Sequence, residues 1–160
     1  MAIPVLYLYR LPETSSMPAG QTTIHGKSLT VWQVPVVESS SMDCSFEQVV
    51  DRLACLPRMF VEPDGSFVWR GSIDADAAYQ NLTPSGHRST TWQLDGMLYD
   101  RAGRVLRVEL QGTCPRSAWL QLLECLQPPQ ELVAYLVEYG CFVLASDLLA
   151  IWERNELSGH

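Results

Sequence analysis

Two stretches decide how this chain is read: Met59-Phe60-Val61-Glu62-Pro63-Asp64-Gly65-Ser66-Phe67-Val68-Trp69 and Met97-Leu98-Tyr99-Asp100-Arg101-Ala102-Gly103-Arg104-Val105-Leu106-Arg107. Each has a hydrophobic arm, an acid, two turn residues, a glycine and a second hydrophobic arm. The acid suits the opening of a type I turn. Glycine suits the positive φ that a three-residue loop needs at its last position. Both stretches therefore predict β-hairpins, over residues 58–71 and 90–111. In the first, Met59, Val61, Phe67 and Trp69 share one face while Phe60 and Val68 occupy the other, so both faces are apolar. In the second, a loop of Arg101, Ala102 and Gly103 sets Asp100 opposite Arg104, Leu98 opposite Leu106, Leu94 opposite Leu110 and Asp95 opposite Glu109. Leu94, Leu98, Leu106, Val108 and Leu110 then make the core face, and Gly96 is a candidate bulge.

Outward from the hairpins, Phe46, Val49, Val50, Leu53 and Ala54 recur at helical spacing. Ser45 and Gln48 stand as a capping box before them, which predicts a helix over 45–56 stopped by Pro57. Pro115 followed by Trp119, Leu122, Leu123 and Leu126 predicts a second helix over 115–126, broken by Pro128 and Pro129. Leu132, Val133, Leu136 and Val137 predict a third, closed by Gly140. A short strand at 141–145 and a helix capped by Asp147 and running to Trp152 complete that end. Towards the start, residues 3–9 read as a strand, 13–20 as a polar loop, and 28–37 as an edge strand marked by Pro35. Residues 72–88, with Asp74, Asp76, Pro84 and Gly86, read as a long connection. The fold expected is α+β: one domain over 1–160, with an antiparallel sheet built from the two hairpins and helices packed mainly on one face.

With 160 residues, 47% of them hydrophobic, the chain has material for a substantial core. Its 18 acids against 11 bases give a net charge of −7, a field that repels nucleic acid and anionic membranes. Neither is expected as a partner. No apolar run reaches the ~18 residues of a membrane span, and the first residues lack the basic region and cleavage pattern of a signal peptide. The cysteines Cys44, Cys55, Cys114, Cys125 and Cys141 are odd in number and form no CxxC pair. Reduced thiols and a cytoplasmic location are expected.

Three groupings carry candidate chemistry. Asp95 facing Glu109 beside Arg107 would pair two carboxylates, an arrangement that shares a proton or holds a cation unless Arg107 and water satisfy both. Cys114 precedes Pro115 and Arg116 at a helix start, where the helix dipole and a guanidinium would lower a thiol pKa. A phosphatase loop would need arginine six positions further on, where Leu120 stands. His25, His87, Asp74 and Asp76 lack metal-ligand spacing, and no glycine-rich phosphate or dinucleotide motif occurs, so no cofactor or metal is expected. The function expected is a non-catalytic cytoplasmic module that binds a protein partner or forms a homodimer through Met59, Val61, Phe67 and Trp69. The alternative is a small enzyme or ligand-binding domain using Asp95, Glu109 and Arg107, or Cys114, in a cleft.

Overall fold

A computed structural model describes residues 2–12, 16–34, 41–72, 91–126 and 132–152. In chain order the elements are β1 (Ala2–Arg10), β2 (Met17–Ile24), β3 (Lys27–Gln33), α1 (Phe46–Ala54), β4 (Met59–Val61), β5 (Ser66–Ser72), β6 (Thr91–Arg101), β7 (Arg104–Thr113), α2 (Arg116–Cys125), β8 (Leu132–Leu136), β9 (Cys141–Leu144) and α3 (Leu149–Trp152). The strands form one antiparallel sheet in the order β2-β3-β9-β8-β1-β7-β6-β5-β4. This corrects the α+β expectation: the described chain is predominantly β, with a single nine-stranded sheet and three short helices.

Two misread segments account for most of the difference. Residues 132–137, expected as a helix, supply β8, which pairs with β1 on one side and β9 on the other. The run Leu-Val-Ala-Tyr-Leu fits either period. What decides is its place in the sheet, where strand neighbours on both sides, β1 and β9, satisfy its backbone. Much of the expected polar loop at 13–20 belongs to β2, which turns back into β3 through His25 (φ 48) and Gly26 (φ 77). Positive φ at both residues is the signature of a type I′ turn. β3 stops at Gln33, and the remainder of the expected edge strand at 35–37 lies outside the described residues. So does most of the long connection, from 73 to 90, with Asp74, Asp76 and His87.

The first hairpin forms as read: Met59 pairs with Trp69, Phe60 with Val68 and Val61 with Phe67, and Gly65 takes φ 91. The second does not. Its turn has two residues, Ala102 (φ 52) and Gly103 (φ 77), with Arg101 opposite Arg104 and Asp100 opposite Val105. A bulge follows, leaving Leu106 unpaired, and from there Tyr99 faces Arg107, Leu98 faces Val108, Asp95 faces Gln111 and Leu94 faces Gly112. The expected pairs Leu98–Leu106, Leu94–Leu110 and Asp95–Glu109 are therefore not made. Val105 is buried in the core where Leu106 was expected, and Leu106 is half-buried. Nor is Gly96 the bulge. It lies beneath the Phe67 ring, which a Cβ at that position would strike.

Strand alternation puts Leu6 and Leu8 of β1, Leu94 and Leu98 of β6, Val108 and Leu110 of β7, and Ala134 and Leu136 of β8 into one buried core. Helices α1 and α2 add Val49, Leu53, Ala118, Trp119 and Leu122 to it. The capping box of α1 is made in both directions. Gln48 N donates to Ser45 Oγ at 3.1 Å and Ser45 N to Gln48 Oε1 at 3.3 Å. Arg52 of α1 donates to the carbonyl of Cys125 at 3.2 Å, satisfying an acceptor at the end of α2, and Trp119 Nε1 donates to Ala145 O at 3.2 Å. β1 joins two halves of the sheet, β2-β3-β9-β8 on one side and β7-β6-β5-β4 on the other.

Candidate functional site

The residues alternating with this core point to the opposite side of the sheet, and many are aromatic. In β1, Tyr7 and Tyr9 alternate with Leu6 and Leu8. Register then places Tyr135 beside Tyr7, Phe142 beside Tyr135 and Trp32 beside Phe142. Tyr9, Leu11 and Val133 are buried there in a second small cluster, flanked by the partly buried Tyr7, Val34, Tyr135, Phe142 and Leu144. Ring centroids lie 4.9 Å apart for Tyr135 and Phe142 and 6.3 Å apart for Tyr9 and Phe142, within the range of favourable aromatic pairing.

Arg107 is set into this face. Its guanidinium carbon lies 4.4 Å from the Tyr99 ring centroid and 5.2 Å from that of Tyr7, so the cation rests on two π faces. Tyr99 Oη donates to Glu109 Oε2 at 2.9 Å. That hydrogen bond, reinforced by burial and the negative carboxylate, pushes the Tyr99 phenol above its ordinary pKa. Tyr99 thus remains a donor at neutral pH.

Asp95, Glu109 and Arg107 do share a face, but the carboxylates are not opposed: Asp95 faces Gln111, and Glu109 faces Met97. Both Asp95 oxygens accept from Gln93 Nε2, at 2.9 and 3.2 Å, while Glu109 is held by Tyr99. A shallow hollow of about 200 Å³ lies between Asp95, Tyr99, Glu109 and Gln111. No group of three or more His, Cys, Asp or Glu side chains able to hold a metal ion occurs among the described residues.

Cys114 precedes α2 as expected, yet it is wholly buried, and burial pushes its thiol up to about 12. Desolvation of a thiolate therefore outweighs the helix dipole, and the sign of the expected shift is reversed. Burial likewise raises the thiols of Cys44, Cys125 and Cys141, and none of the five cysteines is in a disulfide. Met59, Phe67 and Trp69, at 9%, 2% and 2% exposure, face the chain's own core, with Val61 packed against them. Trp69 Nε1 donates to Pro57 O at 3.0 Å. On the other side of that hairpin, Phe60 is 63% exposed.

The aromatic face escaped sequence reasoning. One signal was present in the strict alternation Leu6-Tyr7-Leu8-Tyr9, which already separates an aliphatic face from an aromatic one. Among the described residues no helix is long and apolar enough to cross a membrane. No protein-family model, curated protein or solved structure matches the chain.

Proposed function

We propose that this is a non-catalytic cytoplasmic protein that associates with a second copy of itself through the open face of its sheet. The observation that carries this reading is the composition of that face. Half-buried aromatics stand beside charges of both signs, Arg70 and Arg107 with Asp95 and Glu109. A two-fold axis through such a surface lays cation over acid while covering the rings, so one patch complements itself. The helices already occupy the other side of the sheet, and the exposed Phe60 extends the apolar area to the β4 edge. Against catalysis stand the deep burial of Cys114 and the separate hydrogen bonds of the two carboxylates. The odd number of cysteines, none in a disulfide, supports a reducing compartment, and the excess of acids works against a nucleic-acid partner.

Sedimentation equilibrium at micromolar concentration tests the reading. A dimer mass is expected, with Phe60→Asp and Arg107→Ala each shifting the population to monomer while circular dichroism stays unchanged. A monomer mass at every concentration would refute self-association.

A further inference from the structure

The open face of the β6–β7 ribbon changes sign along its length. Cross-strand partners share a face, so Asp95 with Gln111, Met97 with Glu109, Tyr99 with Arg107 and, at the turn, Arg101 with Arg104 all lie opposite the core residues Leu94, Leu98, Val108 and Leu110. Arg101, Arg104 and Arg107 stand towards the turn, and Asp95 and Glu109 stand away from it. Asp100 pairs with the buried Val105 and so belongs to the other face. Asp43, 2.9 Å from Arg10 and 3.8 Å from Arg104, offsets only part of the basic end.

The central charges are fixed in place before any contact is made. Arg107 rests on the rings of Tyr99 and Tyr7, while the Tyr99 hydroxyl holds Glu109 and the Gln93 amide holds Asp95. These two donors are neutral, so each carboxylate keeps its charge. Side chains already ordered lose less conformational entropy when a partner binds them. The acidic end is also concave, since the hollow of about 200 Å³ is lined by Asp95, Tyr99, Glu109 and Gln111, and a guanidinium fork matches a carboxylate there.

We propose that a second copy docks on this ribbon about a two-fold axis running across the strands, between the Met97–Glu109 and Tyr99–Arg107 pairs. Glu109 of each copy then meets Arg107 of the other, Asp95 meets Arg101, and Met97 meets Tyr99, so that every contact is made twice. A copy turned to lie the other way along the strands sets acid on acid and arginine on arginine, and is rejected. The inference rests on the self-association proposed above and adds to it the orientation of the pair and the residues that select it.

Charge-reversed variants of the whole chain, examined by sedimentation equilibrium and native mass spectrometry, test this. Arg107→Glu and Glu109→Arg should each weaken self-association at least about tenfold, because each homodimer then opposes like charges. An equal mixture of the two should recover a heterodimer, since each copy's reversed residue meets its complement in the other. Arg101→Glu and Asp95→Arg form a second such pair at residues that do not stack on Tyr7 and Tyr99, and it decides the matter where circular dichroism shows that Arg107→Glu does not fold. Added salt should weaken the parent dimer and the heterodimers alike. A parent that dimerises while folded single variants dimerise equally well, or while a folded mixture yields no heterodimer, would overturn this orientation and leave self-association standing. A parent that is monomeric at every concentration would overturn both.

Discussion

Between Glu62 and Ser66 the chain turns through three residues with only Gly65 at positive φ. Between Arg101 and Arg104 it turns through two, both at positive φ. Yet the two segments match position by position: acid, x, x, glycine. The difference is a single N–H. A two-residue turn over Asp64 and Gly65 would need the residue at 63 to donate to Ser66, and proline has no proton to donate. The longer loop follows, with Gly65 N donating to Glu62 O at 3.0 Å and Asp64 Oδ1 accepting from Ser66 N at 2.9 Å and Ser66 Oγ at 2.7 Å. Arg101 keeps its N–H, so the second hairpin closes tightly, with Gly103 N donating to Asp100 Oδ2 at 3.0 Å. The consequence reaches far from the turn. Because the second loop is shorter and a bulge follows, Asp95 meets Gln111 rather than Glu109, and the opposed carboxylate pair never forms.

The largest effect is expected where turn and packing coincide. Gly65 has φ 91, and a Cβ on it would lie 2.8 Å from both Leu98 O and the Phe46 ring, so Gly65→Ala should cost roughly 2–3 kcal/mol in urea unfolding. Gly103 has φ 77 with nothing near a Cβ, and Gly103→Ala should cost only about 1 kcal/mol. Equal losses would break the comparison. Next, Arg101→Pro removes the N–H that separates the hairpins. It should cost about 2 kcal/mol and move Asp100 opposite Arg104, visible as a new cross-strand Hα contact by NMR. An unchanged register would mean that something other than that proton selects the turn.

Smaller and opposite in sign is Ala102→Asn. Ala102 bears φ 52 without the tolerance of asparagine, so the substitution should stabilise by roughly 0.5–1 kcal/mol, read as a higher melting temperature. Smallest is a pH effect confined to the first hairpin. Hydrogen bonds from the Ser66 hydroxyl and N–H hold the Asp64 carboxyl below its usual 3.8. A depressed folded-state pKa gives stability that is complete above the unfolded value and lost as pH falls through the folded one. The gap in melting temperature between the parent and Asp64→Ala should therefore close on acidification below about pH 4, and a gap that widens would reverse the assignment.

The same logic shows how far the sequence could be read. The first hairpin was legible because Pro63 forbids the alternative, and α1 because Ser45 and Gln48 announce its start. The second hairpin was not, since nothing in the letters at Ala102 signals positive φ. β8 was ambiguous because five apolar residues satisfy both periods, and only its neighbours in space decide between them. The position of Cys114 before a helix was legible, whereas its reactivity depended on burial by strands and helices distant in sequence. The aromatic face was least accessible: Tyr7, Tyr135 and Phe142 become neighbours only through the order β9-β8-β1.

The place of β1 sets a timetable for synthesis. Leu6 leaves the ribosome among the first residues described, yet its sheet partners are Leu110 and Leu136. Within the meander from β4 to β7 each strand pairs with its neighbour in sequence and can assemble as it emerges, whereas β1 must wait unpaired until β7 and β8 have been made. During that interval Leu6-Tyr7-Leu8-Tyr9 is an uncovered, uncharged β-forming stretch. The segment that finally unites the sheet is thus also one that stands open to wrong pairing while the chain is being made.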